Sequence, residues 1–179
     1  IITTGQGGCL VTNDDELGMK IKKLKDFGRT QGGNDVHDEF GINCKFTELQ
    51  AIMGRNQMSD ITWRIRRKRE IYDLYELLLN GNKNISIIPR EEYHVPWFID
   101  IYVDDRENLI KYLKEKDIQT RPVYSPLSSQ KIFNDYDKDQ KLKVSELIGN
   151  KGLWLPSSLD LKDEEIELVC ERISEYYGK

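Results

Sequence analysis

The pattern of apolar positions changes its period near residue 80 of this chain. Before that point, apolar residues recur at helical spacing in two segments. The first follows a cap at Asn13 or Asp14 and is stopped by Gly28, and the second covers residues 61–79. The pattern therefore predicts two amphipathic helices in the first 80 residues.

Shorter signals complete this first part. Residues 8–12 leave a glycine-rich turn and read as a short strand, whereas residues 29–40 are polar and predict a loop. Thr47 is followed three residues later by Gln50, which is the pattern of a capping box. A third helix is therefore expected to begin just after Thr47.

Beyond residue 80 the apolar pattern alternates, and the elements become shorter. The predicted elements are strands over 85–88, 97–103 and 119–123, and helices over 105–116 and 163–177. Helices of this kind can cover one face of a small sheet. We therefore predict a mixed α/β fold with a domain junction near residue 80, dividing the chain into 1–80 and 81–179.

Composition is that of an ordinary globular protein, with 38% apolar residues, 32% charged residues and a net charge of −4. The one dense basic run, residues 64–69, is followed by Glu70, Asp73 and Glu76, which favours a solvated helix face over a nucleic-acid site. No apolar run approaches the ~20 residues that span a bilayer, and no signal-peptide pattern is present. We expect neither nucleic acid nor membrane as a partner.

The cysteines bear on metal binding and on the cellular compartment. Cys9, Cys44 and Cys170 are scattered and odd in number, which argues against a disulfide framework or a zinc site. This usage fits a reducing compartment, and we expect a cytoplasmic protein without a bound metal.

Two motifs carry candidate chemistry. The first is Ile2-Thr3-Thr4-Gly5-Gln6-Gly7-Gly8, whose glycines allow a tight turn and a close approach of the backbone to another group. The second runs from Gly41 to Ile52 and includes Asn43, whose amide either fixes a local turn or donates to an anion. Each motif alone is a weak signal.

Together the two motifs resemble the DegT family of nucleotide-sugar aminotransferases, which read K-x-I-T-T-G-E-G-G and then G-x-N-x-R-x-x-x-x-Q-A-A. The resemblance implies fold type I of the pyridoxal phosphate (PLP) enzymes, the aspartate aminotransferase-like fold. Residues 1–80 would end the large PLP-binding domain, including its long connecting helix, and 81–179 would form the small C-terminal domain. The lysine that holds PLP as a Schiff base is expected immediately before Ile1, so we expect the C-terminal half of a larger protein with no catalytic residue in this chain.

The resemblance also implies roles for three residues around the second motif. Asn43 would donate a hydrogen bond to the PLP phosphate of the other subunit, which implies a homodimer with shared active sites. Lys45 stands where many relatives have arginine, and lysine lacks the fork that grips a carboxylate. It either binds the amino donor, glutamate, or is an ordinary lysine near a helix start. His37 is either an exposed loop residue or a substrate contact.

A third stretch, Arg121 to Leu127, resembles the R-P-x-x-x-P-x-H segment that lines the family's nucleotide-sugar site. Arg121 and Tyr124 can pair with phosphate and stack on a ring, although a proline-fixed loop is an equal interpretation. Ser128 replaces the usual histidine, so recognition of the sugar by that residue must differ. Trp154 begins a segment similar to the family's L-P-S stretch, which we expect to return the chain to the sheet.

Several short segments, among them residues 67–72 and 120–123, resemble the corresponding segments of the perosamine synthases of this family. These enzymes use PLP and glutamate to aminate the 4-keto group of a nucleotide-linked 4-keto-6-deoxyhexose, and such amino sugars usually enter surface polysaccharides or secondary metabolites. Two alternatives stay open. One is a sugar 3-dehydratase of the same family that uses pyridoxamine phosphate (PMP), in which histidine replaces the lysine, and the other is a non-catalytic fragment.

Overall fold

The computed structural model of this protein describes residues 1–30, 33–133 and 142–178. They form two compact units, Ile1–Thr62 and Trp63–Lys179. The second unit takes in nearly all of the long helix that precedes residue 80, because that helix contributes buried side chains to its core. The assignment of 1–80 and 81–179 to the two domains of a PLP enzyme stays a prediction.

The first unit contains α1 (Asp15–Lys25), α2 (Glu48–Met58) and the start of α3 (Ile61–Leu79). The predicted caps are confirmed: the Asp14 carboxylate accepts the Leu17 N–H, and Thr47 and Gln50 form a reciprocal capping box. The strand predicted over 8–12 is wrong. No neighbouring strand pairs with it among the described residues, and a lone extended segment leaves its backbone groups without partners. Positions 31 and 32 of the predicted loop lie outside the described residues.

Little of this first unit is buried. Among its described residues, only Gly28 is buried. The most exposed of its large apolar side chains are Leu10, Val11, Met19, Phe40, Leu49 and Ile52. Within the described residues this unit therefore lacks the apolar burial that stabilises a domain.

A close crossing of two backbones at Gly28 and Gly41 holds the first unit together. Gly28 lies shortly after the end of α1 and has a φ of 73°, and Phe27 before it is also at positive φ. A Cβ at Gly28 would overlap the carbonyl oxygen of Glu39, and one at Gly41 would overlap the Gly28 nitrogen. Only glycine fits at either position. The backbone of residues 39–41 therefore lies directly against the backbone of Phe27 and Gly28.

The second unit is a four-stranded antiparallel sheet with helices against it. Its strands are β1 (Ile85–Ile87), β2 (Ile99–Val103), β3 (Arg121–Pro122) and β4 (Gly152–Leu155), in the spatial order β1-β2-β4-β3. The helices after α3 are α4 (Arg106–Glu115), α5 (Lys143–Lys151) and α6 (Asp163–Tyr176), and two short 3-10 turns cover Leu127–Ser129 and Lys131–Phe133. In the part of the chain that the structure describes, no helix has the length and apolar character needed to cross a membrane.

The core lies between one face of the sheet and helices α3, α4 and α6. In β2 the side chains of Ile99, Ile101 and Val103 are fully buried there, with Tyr75 of α3 and Ile173 of α6 in the same cluster. Successive side chains of a strand point to opposite faces. The intervening residues of β2 therefore lie on the second face of the sheet.

Two elements of this unit were not predicted as such. Helix α5 is short and carries Gly149 and Asn150, which are poor helix formers. Strand β4 has four buried residues and no alternation, so its sequence carries no period-two signal. The expectation that the segment beginning at Trp154 returns to the sheet is confirmed, because Trp154 lies in β4 between β2 and β3.

A buried lysine connects the core helix α3 to the segment before β2 and to the segment after β4. The Lys68 ammonium is largely shielded from solvent and donates to the carbonyl oxygen of Trp97 (2.9 Å) and to that of Ser157. Burial lowers the pKa of this amine below its usual value. Among the described residues it has no carboxylate partner, so the two carbonyls carry its stabilisation.

We expect Lys68→Met to lower the free energy of unfolding by about 1–3 kcal/mol, because two partly buried carbonyls lose their donor. Relief from burying a charge offsets part of this loss. Denaturant unfolding of the purified intact protein measures the change. The control is Arg66→Met on the exposed side of the same helix, where loss of one surface ion pair to Glu70 costs less than about 1 kcal/mol. A Lys68→Met protein as stable as the control would show that the two hydrogen bonds do not stabilise the fold.

Candidate functional site

The first unit holds Asn43 through the backbone on both sides of it. Asn43 forms an antiparallel bridge with Asp26 at the end of α1. The N–H of Ile42 donates to Leu24 O (2.8 Å), and that of Cys44 donates to Lys25 O (3.0 Å). The position of Asn43 therefore follows from the end of α1 and from the glycine crossing beside it.

The side-chain amide of Asn43 is exposed and is oriented by its own loop. Its carbonyl oxygen, Oδ1, accepts the backbone N–H of Lys45 at 3.2 Å. Within the described residues its amide nitrogen, Nδ2, has no hydrogen-bond partner. An amide held in this way presents a donor outward, and a donor is what a phosphate oxygen requires.

Lys45 lies beside Asn43 and contacts the end of α1. Its ammonium is 3.0 Å from a carboxylate oxygen of Asp26 and 5.1 Å from the centroid of the Phe27 ring. Arg29 pairs with the same carboxylate at 2.7 Å. Hydrogen bonds from Arg29 and Lys45 lower the pKa of Asp26, which keeps that carboxyl ionised. A carboxylate ligand of Lys45 would therefore have to compete with Asp26.

His37 meets the same aromatic side chain as Lys45. Its ring nitrogen Nδ1 lies 2.8 Å from the carbonyl oxygen of Phe27, and its ring stands edge-on to the Phe27 ring with 6.5 Å between centroids. The structure thus brings His37, Asn43 and Lys45 together around Asp26 and Phe27.

The glycine-rich turn of residues 4–8 is fixed against α2. Gln50 donates to the carbonyl oxygen of Gln6 at 2.6 Å, and Gln57 both accepts from and donates to the backbone of Thr3. At Gly7 a Cβ would lie 2.6 Å from the ring of Phe46. Sequence reasoning gave Gln50 only a capping role and missed Gln57. Their seven-residue spacing, which puts both on one face of a helix, was the available signal.

The second unit brings together Arg121 and Tyr124. The Arg121 guanidinium lies 5.2 Å from the centroid of the Tyr124 ring and 5.6 Å from that of Trp154. Tyr124 meets the Trp154 ring edge-on, with 4.9 Å between centroids. Ser128 is exposed in the 3-10 turn Leu127–Ser129, and among the described residues no side-chain hydrogen bond joins it to Arg121 or Tyr124.

The register of three strands explains why Trp154 lies at the centre of this group. Trp154 of β4 is directly opposite Asp100 of β2 on one side and Arg121 of β3 on the other. Directly opposite residues share a face, so the three side chains form a row across the sheet. The indole N–H donates to Asp100 at 2.5 Å. Burial raises the pKa of Asp100, and the hydrogen bond from Trp154 opposes this effect.

Comparison with known proteins places these arrangements in a family. The model of the DegT/DnrJ/EryC1/StrS aminotransferase family matches residues 1–174. GDP-perosamine synthase of Escherichia coli O157:H7 is 34% identical over 180 residues, which cover 99% of this chain and 49% of that protein. A dTDP-4-dehydro-2,6-dideoxy-D-glucose 3-dehydratase of Saccharopolyspora spinosa is 25% identical and matches 99% of this chain and 46% of its own length.

The fold has a counterpart among solved structures. The sugar aminotransferase CalS13 from Micromonospora echinospora superimposes with a TM-score of 0.89 at 21% identity, covering 97% of this chain and 48% of that one. This likeness confirms the predicted α/β fold of the PLP-dependent sugar aminotransferases. The chain spans about half the length of the curated relatives it matches.

Aminotransferases of this family depend on PLP, and the donor presented by Asn43 has the chemistry that a phosphate-bearing cofactor needs. The family match extends through both units and includes the glycine-rich turn, the Asn43 loop and the row at Trp154. This chain belongs to the DegT/DnrJ/EryC1/StrS aminotransferase family.

Proposed function

We propose that the intact protein transfers an amino group from glutamate to the 4-keto group of a nucleotide-linked 4-keto-6-deoxyhexose. The observation that carries the proposal is the family match over residues 1–174, together with 34% identity to a GDP-perosamine synthase. PLP, when bound, supplies the electron sink for moving the proton between the amino donor and the acceptor. The protein supplies binding and orientation.

The residues of the first unit suit the phosphate end of that cofactor. Asn43 donates its free amide N–H to a phosphate oxygen of PLP in the other subunit of a homodimer. The turn of residues 4–8, held by Gln50 and Gln57, follows the expected lysine and shapes the pocket wall. Lys45 and His37 line the same region. There Lys45 breaks its ion pair with Asp26 and binds the carboxylate of glutamate.

The residues of the second unit suit the nucleotide end of the substrate. Arg121 has its guanidinium edges free of carboxylates within the described residues and pairs with the diphosphate. Tyr124 is 61% exposed and offers a ring for stacking. Ser128 supplies a hydroxyl in place of an imidazole near the sugar, so it can donate to or accept from a sugar hydroxyl without carrying charge.

A second candidate function is a PMP-dependent sugar 3-dehydratase, which the Saccharopolyspora spinosa relative favours. The two functions differ in the residue expected immediately before Ile1. A lysine there holds PLP covalently and returns the proton, whereas a histidine leaves the cofactor unattached. A non-catalytic protein built on the same fold would hold no cofactor.

We expect borohydride reduction of the intact protein with PLP to leave a pyridoxyl group on a lysine immediately before Ile1. Peptide mass spectrometry locates the label, and the same digestion without borohydride is the control. A protein that carries histidine at that position and takes no label would support the dehydratase and exclude the aminotransferase.

We expect Asn43→Ala to weaken PLP retention about tenfold, which is the loss of one charge-assisted hydrogen bond. Equilibrium dialysis against PLP measures the change, and Asn56→Ala at an exposed position of α2 is the matched control, with unchanged retention.

Mixing subunits tests whether Asn43 acts across a dimer. One variant lacks the PLP-binding lysine and the other is Asn43→Ala, and in a mixed dimer one site then regains both groups. Recovery of PLP retention and of activity in the mixture is the expected result. No recovery, with both variants dimeric, would mean that Asn43 serves its own subunit or has no part in binding.

A further inference from the structure

We infer that Trp154 is a positioning residue, which holds Arg121 and Tyr124 in the arrangement that receives the nucleoside diphosphate part of the substrate. The inference deepens the proposed function and rests on it. Its basis is the row that Trp154 forms with Asp100 and Arg121 across three strands.

The indole of Trp154 is fixed by its neighbours. It is only 7% exposed, it stacks on Phe98 with 4.2 Å between centroids and 13° between planes, and its N–H is bound to Asp100. Such a ring has one orientation available to it. It therefore provides a rigid surface on the second face of the sheet.

Arg121 depends on that surface. Arg67, Arg90 and Arg106 of the same unit each pair with a carboxylate. The guanidinium of Arg121 forms no ion pair or hydrogen bond among the described residues and is held by the rings of Trp154 and Tyr124. A guanidinium stacked on rings keeps its N–H edges available for an anion.

The charge and ring content of this group define the ligand. An unpaired guanidinium favours a phosphate, and the exposed ring of Tyr124 favours a planar or sugar ring attached to it. A nucleoside diphosphate combines both features. Because Tyr124 also rests edge-on against Trp154, one indole orients the two groups that recognise it.

A packing role alone would make different predictions. If Trp154 only fills space, its replacement lowers the stability of the protein. It then weakens nucleotide binding and slows the reaction with glutamate to the same extent. If it acts through Arg121 and Tyr124, its loss weakens nucleotide binding, and it adds less once Arg121 is removed because only Tyr124 is then left to orient. Conversion of the bound cofactor by glutamate, which carries no nucleotide, stays unchanged.

The experiment is calorimetric titration of the intact protein with GDP, UDP and dTDP. The nucleotide that binds the wild type most tightly is then used for the variants. Pyrophosphate serves as a second probe, which lacks the base and the sugar. We expect Trp154→Leu to weaken nucleoside diphosphate binding about tenfold, the upper range for a lost cation–π contact. The double variant with Arg121→Ala should lose less affinity than the sum of the two single losses, because Trp154 then acts only through Tyr124. Trp97→Leu is the matched control and leaves affinity unchanged, because Trp97 is exposed and its ring has no cation–π contact with Arg121 among the described residues.

A second variant separates loss of binding from loss of the folded structure. Trp154→Phe keeps an aromatic ring on Phe98 but loses the N–H to Asp100, and we expect about threefold weaker binding with the same non-additivity. Additive losses in the double variant, equal loss for Trp97→Leu, or no binding of any nucleoside diphosphate to the wild type would overturn the inference.

The cofactor's absorbance change with glutamate separates this inference from the proposed function. If the wild type shows that change and the nucleotide tests fail, the role of Trp154 is wrong and the aminotransferase stands. If the wild type shows no change with glutamate, the proposed function fails and the inference fails with it.

Discussion

Burial of alternate β2 side chains against three helices is the constraint on which the rest of the second unit depends. Ile99, Ile101 and Val103 have to face the core, and a shift of one residue would put Asp100 there instead. The same register sets Asp100, Trp154 and Arg121 in line on the opposite face. The register of β2 therefore determines both the core and the candidate nucleotide surface.

The first unit is organised by its backbone. Its described part buries only Gly28, yet Gly28 and Gly41 approach so closely that neither tolerates a side chain. That crossing and the bridge between Asp26 and Asn43 hold the loop, while Gln50 and Gln57 hold the glycine turn. A site built in this way is specified by main-chain geometry, which suits recognition of a phosphate by a few oriented donors.

Local signals in the sequence predicted local structure well. The cap at Asp14, the capping box at Thr47 and the long helix α3 each depend on residues a few positions apart, and the structure confirms them. Pairing between segments that are distant in the sequence was harder to predict. The contact of Trp154 with Arg121 depends on strand register, and the strand expected at 8–12 has no neighbour in the described chain. Family resemblance indicated Asn43, Arg121 and the segment that begins at Trp154, whereas the place of Trp154 beside Arg121 emerged only from the sheet.

In the proposed function, the first unit supplies residues that bind the cofactor and the second unit supplies residues that bind the substrate. The most direct test of the proposed reaction is incubation of the intact protein with PLP, nitrogen-15-labelled glutamate and a nucleotide-linked 4-keto-6-deoxyhexose, followed by mass spectrometry and NMR of the sugar. The proposed function predicts the labelled nitrogen on carbon 4 of the sugar, with 2-oxoglutarate formed in equal amount. A sugar that has lost its 3-hydroxyl group and carries no nitrogen would contradict the account and support the dehydratase.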